Sequence, residues 1–191
     1  MLLSLIVIFV FLYSIYIGVK RGLVLQGILS IGFYLSFGFA TAFYSMITPY
    51  VELIVPYPTP QLVEESPFAL YNLDLLFEMH TPFYNGLSFL MLLFVGWLIT
   101  RLVGRLLVFV SDLNIDERIS NIGGAILSFF AHYIGLFLIL FLVSTLPFGF
   151  VQSQIESSWL SRTIITRTPE LSNGFYEQWV GEAEEEAQSN Q

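Results

Sequence analysis

The sequence predicts an all-α integral membrane protein with four transmembrane helices and short amphipathic interfacial helices. Hydrophobic residues make up 55% of its 191 residues and charged residues only 12%, whereas soluble domains carry about 25% charged residues. The mean hydropathy is +0.74, and four long apolar stretches contain no Asp, Glu, Lys or Arg. A soluble protein of this length could not bury so much apolar surface in one core, so we expect lipid to cover it.

The four apolar stretches define a membrane domain over residues 1–146, and they cover residues 2–19, 23–47, 83–100 and 124–146. Each is about long enough to cross roughly 30 Å of hydrocarbon at about 1.5 Å per helical residue. Backbone polar groups cannot reach water inside the bilayer, so each stretch should be helical. Gly18 and Gly22 enclose the basic residues between the first two stretches, which predicts a tight helical hairpin there.

The basic residues predict the orientation of the spans, because short cytoplasmic loops are enriched in Lys and Arg. Five of the seven basic residues lie in two short connections: Lys20, Arg21, Arg101, Arg105 and Arg118. The loop over residues 48–82 has five acidic residues and no basic one, and the tail over residues 147–191 is also mainly acidic. We therefore expect the connection at Lys20 and Arg21 and the inner loop over residues 101–123 to lie on the cytoplasmic side of the cell membrane. The outer loop, the tail and both termini should be extracytoplasmic.

Short amphipathic helices are expected beside the spans. Apolar residues at helical spacing over 102–110 would continue the third span along the membrane surface. In the tail, Val151, Ile155, Trp159 and Leu160 follow the spacing of one helical face. The acidic residues 182–191 should be disordered.

His132 lies near the middle of the fourth stretch, where an ionisable side chain is a functional candidate by default. It could relay protons or gate a pathway, but a relay normally uses intramembrane carboxylates, and the four stretches have none. The alternative is a neutral imidazole that is hydrogen-bonded to a hydroxyl or carbonyl group. We favour this alternative, since most buried polar groups have such simple partners.

Small residues recur at every fourth position in three of the stretches. They are Gly32, Ser36 and Ala40 in the second, Gly96, Thr100 and Gly104 in the third, and Ala131 and Gly135 in the fourth. This spacing allows helix backbones to approach closely. The residues could form a self-association face or pack the helices of one chain together, and we favour packing within the chain.

The five inner basic residues could also bind anionic lipid headgroups, with about 1 kcal/mol from each residue near the membrane surface. Setting the topology would be a sufficient role for them by itself. The net charge of −8 and the scattered basic residues argue against nucleic acid as a partner.

Composition also limits the chemistry of the chain. Without cysteine, it has no disulfides, thiol catalysis or cysteine-ligated metal. It has no P-loop, no G-x-S-x-G and no H-E-x-x-H motif. We therefore expect no enzymatic activity, no cofactor and no metal site.

Three segments resemble the colicin V production protein (CvpA) family. The first is Gly18-Val19-Lys20-Arg21-Gly22 between the first two spans, and the second runs from Asp116 to Ala125. The third runs from Ser158 to Ser172 and is similar to members of the family from Gram-positive bacteria. The resemblance covers nearly the whole chain. It implies a multi-pass inner-membrane protein with a role in toxin or bacteriocin production or export and in envelope maintenance.

Two functions remain open at this stage. The first is a non-enzymatic accessory or scaffold protein in the lipid bilayer that binds another membrane protein or forms a homo-oligomer. The alternative is a small oligomeric transporter or channel, in which His132 and the glycine-rich spans line a path.

Overall fold

A computed structural model describes residues 2–58, 68–71, 79–106, 115–168 and 171–180. All regular structure in these ranges is helical, which confirms the predicted all-α class. The helices are α1 (Leu2–Ile54), α2 (His80–Leu106), α3 (Glu117–Ser144), α4 (Gly149–Ser157), α5 (Trp159–Arg167) and α6 (Leu171–Phe175), and a π-helical segment (Tyr176–Val180) follows. Among the described helices, α1, α2 and α3 are long and apolar enough to cross a membrane. The number of crossings, four, stays a prediction.

The break in α1 occurs at Gly22, between the first two predicted spans. Its φ of 69° and ψ of 174° lie in a region that is essentially restricted to glycine. The next backbone N–H, that of Leu23, donates a hydrogen bond to Oγ of Ser120 in α3 (3.2 Å). The side chain of Ser120 therefore accepts the hydrogen bond of a backbone N–H group that has no partner within α1 after the break.

The chain reverses direction at this break, as the order of contacts with α3 shows. Before Gly22, rising residue numbers in α1 face falling numbers in α3: Phe11 faces Phe129 and Gly18 faces Gly124. After Gly22, both sets of numbers rise together: Leu23 faces Gly123 and Gly27 faces Leu127. The two parts of α1 therefore run antiparallel, as the paired glycines predict.

The start of α3 is fixed by a side-chain cap. The carboxylate of Asp116 accepts hydrogen bonds from the backbone N–H groups of Arg118 (3.0 Å) and Ile119 (3.3 Å). This contact satisfies donors that have no partner inside the first helical turn. The helix thus begins well before residue 124, the start of the fourth predicted span.

The chain divides into two compact units, which we describe separately. Unit 1 comprises Met1–Leu5, Tyr44–Ser88 and Phe137–Gln191. Unit 2 comprises Ile6–Phe43 and Phe89–Leu136.

Unit 1 has an aromatic core to which the tail contributes. Trp179 is fully buried, and its ring lies 4.5 Å from that of Phe175 and 5.6 Å from that of Phe141, measured between centroids. Phe175 also packs against Phe137, at 6.0 Å. The tail after α3 is therefore part of a folded unit, at least as far as Val180, which is also fully buried.

The tail differs in one respect from the single amphipathic helix that its spacing predicts. Ser158 has extended backbone angles (φ −103°, ψ 97°), and its Oγ accepts a hydrogen bond from the N–H of Ser161 (3.2 Å). Ser158 thus caps a new helix, because a serine side chain can replace the missing backbone acceptor there. The result places Ile155 in the core and leaves Trp159 73% exposed, so these residues do not share one face.

Gln152 joins the end of α3 to the segment between α1 and α2. Its Nε2 donates to the carbonyl oxygens of Ser144 (3.0 Å) and Leu146 (2.6 Å). These carbonyl groups lie at and just after the end of α3, where no later N–H group of the helix is available to bond to them. Its Oε1 accepts from the N–H of Ala69 (2.9 Å). These three hydrogen bonds explain how an amide side chain can lie buried in unit 1.

Two tyrosine hydroxyl groups also bond the segment between α1 and α2 to the end of α3. Tyr57 donates to the carbonyl of Thr145 (2.8 Å), and the hydroxyl of Tyr71 lies 3.0 Å from Oγ of Ser144. Burial raises the pKa of Tyr71 to about 12, against a smaller opposing effect of the Ser144 hydrogen bond. This hydroxyl group therefore remains protonated over the physiological pH range.

We expect Gly22→Ala to destabilise the protein by about 1–3 kcal/mol, because alanine is strained at these backbone angles. The new methyl group would also press against Oγ of Ser120. Thermal unfolding of the purified protein in detergent measures the effect.

Gly38→Ala is the matched control, since Gly38 also lies in α1 and nothing lies within 4 Å of its Cβ position. Alanine is favoured over glycine inside a helix by roughly 1 kcal/mol, so this change should be neutral or stabilising. Equal losses of stability in the two variants would contradict the strained turn at Gly22.

Candidate functional site

The candidate site lies in unit 2, along the seam between α1 and α2. The small residues of this seam face each other or a neighbouring side chain: Gly32 faces Thr100, Gly96 faces Ser36, and Gly104 faces Leu29. A Cβ atom at any of the three glycines would collide with the residue opposite. The structure thus brings together five of the small residues singled out from the sequence.

The other three small residues differ from one another in burial and contact. Ala40 is fully buried, whereas Ala131 is only half-buried. Nothing lies within 4 Å of the Cβ position of Gly135, so that glycine makes no close approach.

The hydroxyl groups in the seam are satisfied by their own helices. Oγ of Ser36 donates to the carbonyl of Gly32 (2.7 Å), and Oγ1 of Thr100 donates to the carbonyl of Gly96 (2.8 Å). Such bonds to the preceding turn let a polar side chain remain in an apolar environment.

Three of the arginines predicted to lie on the cytoplasmic side meet at one end of the seam, around a cleft of about 120 Å³. The described residues that line it are Arg21, Leu25 and Leu29 of α1 and Arg101, Gly104 and Arg105 of α2. The turn at Gly22 places Arg21 here, although it lies far from Arg101 in sequence. Lys20 and Arg118, which the sequence grouped with these arginines, do not line the cleft.

Each arginine is held differently. The half-buried Arg21 donates a hydrogen bond from Nη1 to Oε1 of Gln26 (3.2 Å). The guanidinium of Arg101 lies over the ring of Trp97, 4.8 Å from its centroid. Arg105 is exposed.

The arginines of the cleft are not neutralised within the described part of the chain. There, none of Arg21, Arg101 and Arg105 forms a salt bridge, and their contacts to Gln26 and Trp97 carry no negative charge. Arg21 and Arg101 are also close enough to interact electrostatically. The cleft is therefore a concentration of positive charge with unused N–H donors.

Lys20 turns away from this cleft. Its ammonium group lies 5.1 Å from the centre of the Tyr16 ring, one turn earlier in α1. Arg118 is exposed in the first turn of α3.

Sequence reasoning missed Gln26 and Trp97. Gln26 is only 2% exposed and supplies the acceptor that orients Arg21. A signal existed, because Gln26 is the one amide side chain in the second apolar stretch. Trp97 lies one helical turn before Arg101, a spacing at which side chains meet.

His132 is half-buried in α3 and bonds to its own helix. Its Nδ1 lies 2.7 Å from the carbonyl oxygen of Ser128 and 3.4 Å from Oγ of the same residue. This is the simple kind of partner considered above. Arg21 and Arg101 lie near enough to act on the imidazole electrostatically, but His132 does not line the cleft.

Metal ligands are not clustered in the described ranges, where no group of three His, Asp or Glu residues could hold an ion. The cleft instead presents donors suited to an anion.

We expect Nδ1 of His132 to carry a proton at every pH at which the protein is folded, because a carbonyl oxygen can only accept a hydrogen bond. Nitrogen NMR of ¹⁵N-histidine-labelled protein reports which ring nitrogen is protonated. The chain has two histidines, so a His80→Gln background leaves only the two ring-nitrogen signals of His132. A neutral tautomer with the proton on Nε2 alone would show that the bond to Ser128 does not exist.

Comparison with known proteins supports the family resemblance. The family model described as colicin V production protein matches residues 3–169, which include α1 to α5 and every residue of the cleft. The uncharacterized transmembrane protein YshB of Bacillus subtilis (strain 168) is 29% identical over 179 residues, covering 94% of this chain and 98% of that protein. No solved structure matches the chain. The match extends over most of the sequence, and the chain therefore belongs to the colicin V production protein family, as a membrane protein with transmembrane helices.

Proposed function

We propose that the chain is a non-enzymatic accessory or scaffold protein of the cell membrane, which supports toxin or bacteriocin production or export and envelope maintenance. The name of the matching family, colicin V production protein, supports the toxin-related role. In this role the protein holds partners in the membrane and performs no chemistry of its own.

The observation that carries this proposal is the way the apolar helices satisfy their polar side chains. Five of these side chains bond to carbonyl groups of their own helix: Ser14 to Phe11, Ser36 to Gly32, Thr41 to Phe37, Thr100 to Gly96 and His132 to Ser128. The hydroxyl groups of Ser30 and Ser88 are exceptions, since both are buried without a hydrogen-bond partner. A transport path needs polar groups that are available to a permeant. Groups that bond to their own backbone favour a packed scaffold over the alternative, a small oligomeric transporter or channel.

Large apolar side chains cover much of the surface of the long helices. In α1, Leu5, Phe9 and Leu12 are each more than 60% exposed. Lipid covers such side chains in a membrane, and a partner helix can replace the lipid. This surface is consistent with a protein that associates with other membrane proteins.

We further propose that the chain crosses the membrane four times, with both termini outside. The reversal at Gly22 supports two crossings within α1. The meeting of Arg21, Arg101 and Arg105 at one cleft supports the placement of both basic connections on the same, cytoplasmic side.

The orientation can be tested with single cysteines, since the chain has none of its own. We expect an impermeant maleimide to label Ser157→Cys in intact cells, because this exposed position lies in the extracytoplasmic tail. Ile115→Cys, at an exposed position before α3, should be labelled only after the membrane is permeabilised. The reverse pattern would contradict the proposed orientation.

The accessory role predicts a stoichiometric partner. Photocrosslinkers attached to Ser153→Cys in the tail and to Ile119→Cys in the inner part, both exposed positions, should capture a different membrane protein in intact membranes. A specific interface gives roughly stoichiometric recovery, and mass spectrometry identifies the captured chain. The cysteine-free parent is the control.

Recovery of this chain alone from both positions would contradict the accessory role and favour a self-contained oligomer. In that case flux through proteoliposomes should depend on His132, and His132→Ala should abolish it.

A further inference from the structure

An apolar groove lies beside the small-residue seam of α1 and α2. Its volume is about 360 Å³, within the roughly 300–1,000 Å³ typical of ligand sites. The described residues that line it include Gly32, Leu35 and Phe39 of α1 and Val95, Gly96 and Ile99 of α2. At the two glycines, the side chains of Thr100 and Ser36 fill the space between the helices, and the groove lies beside these contacts.

The basic cleft continues this groove along the same two helices. In the cleft, Leu29 faces Gly104, and less than one helical turn further along α1 Gly32 faces Thr100 in the groove. A ligand that extends along the seam would therefore meet three guanidinium groups first and apolar side chains next.

The cleft suits a phosphate group. Guanidinium groups donate paired hydrogen bonds to phosphate oxygens, with charge assistance. Arg21 and Arg101 lie close enough to repel each other, and an anion between them would relieve that repulsion. A volume of about 120 Å³ is ample for such a group, since a single water needs only roughly 10–15 Å³.

We infer that the seam binds one anionic phospholipid, whose phosphate group lies among Arg21, Arg101 and Arg105 and whose acyl chain lies in the apolar groove. The charge of the cleft selects an anionic headgroup over a zwitterionic one, and the groove selects a long-chain molecule over free phosphate. This inference depends on the membrane location of the helices and is independent of the proposed accessory role.

Native mass spectrometry of the full chain in detergent provides the test. The probes are phosphatidylglycerol and phosphatidylcholine with the same acyl chains. We expect one phosphatidylglycerol to be retained per chain, at a lower lipid concentration than phosphatidylcholine requires. Inorganic phosphate at millimolar concentration should not displace the bound lipid. Equal affinity for the two lipids, or displacement by phosphate, would overturn the inference and point to nonspecific lipid or to a soluble anion.

The cleft is tested by removing its charges. Arg101→Gln and Arg105→Gln should each weaken phosphatidylglycerol binding about fivefold, and together about 25-fold, on the basis of roughly 1 kcal/mol per basic residue. Arg162→Gln removes an exposed arginine from α5 and is the matched control, with unchanged binding expected. If the double variant binds phosphatidylglycerol as the control does, the phosphate does not occupy the cleft.

The groove is tested by filling it. Leu35→Trp places a larger side chain in the groove, and Ile31→Trp makes the same kind of change at an exposed position of α1 that does not line it. Leu35→Trp should weaken binding of long-chain phosphatidylglycerol at least fivefold and leave binding of the dihexanoyl form unchanged, whereas Ile31→Trp should change neither. An equal loss for both lipids, or no loss, would overturn the position of the acyl chain.

Instead of a lipid, a second copy of the chain could pack into the groove. Single Leu35→Cys variants in native membranes should remain monomeric under mild oxidation. Efficient disulfide formation between copies would overturn the lipid assignment in favour of a dimer.

Discussion

The backbone contact between Gly18 in α1 and Gly124 in α3 is the interaction on which the arrangement of unit 2 depends. The carbonyl oxygen of Gly18 occupies the position that a Cβ atom of Gly124 would need, and the backbone of Gly22 lies almost as close. Lipid offers apolar helices no hydrophobic reason to associate, so close van der Waals contact has to hold them together. Since this contact fixes the turn of α1, it also brings Arg21 to the end of the α1–α2 seam.

Polar groups in unit 2 fall into two classes. Hydroxyl groups such as those of Ser36 and Thr100 bond to their own helices and need nothing further. The arginines of the cleft have hydrogen-bond donors and positive charge that the described part of the chain does not balance. Oγ of Ser30 is an exception among the described residues, since it is buried without a hydrogen-bond partner. The positive charge of unit 2 that has no described counter-charge is concentrated at one end of the α1–α2 seam.

The sequence was most informative where one physical requirement dominated. The membrane class follows from hydropathy, and the reversal at Gly22 follows from two glycines around a basic pair, because few other sequences tolerate such a turn. The contacts of Gly32 with Thr100 and of Gly96 with Ser36 could be predicted only in part. The spacing of small residues indicates which face of each helix packs closely, but not which other helix it packs against. Periodicity carries no information on the partner of a face.

Other features depend on single side chains in three dimensions and escaped prediction. The tail spacing indicated one helix, but Ser158 provides a cap that divides it. The partner of Arg21 is Gln26, five residues away across a non-helical turn, where helical spacing rules do not apply. Two predictions fall wholly or partly outside the described residues: the interfacial helix over 102–110, of which 107–110 are not described, and the disorder of residues 182–191. Both stay predictions.

The aromatic core of unit 1 extends beyond the residues that the family model matches. The family match ends at residue 169, yet Phe175, Trp179 and Val180 lie in the core, and the indole of Trp179 rests against Gly86. The recognisable family pattern is therefore shorter than the folding unit. Loss of the buried indole of Trp179 would leave a cavity that costs roughly 3–5 kcal/mol of stability. The packing of unit 1 therefore depends on a large side chain that fills the space beside Gly86, and the last helical turns supply it.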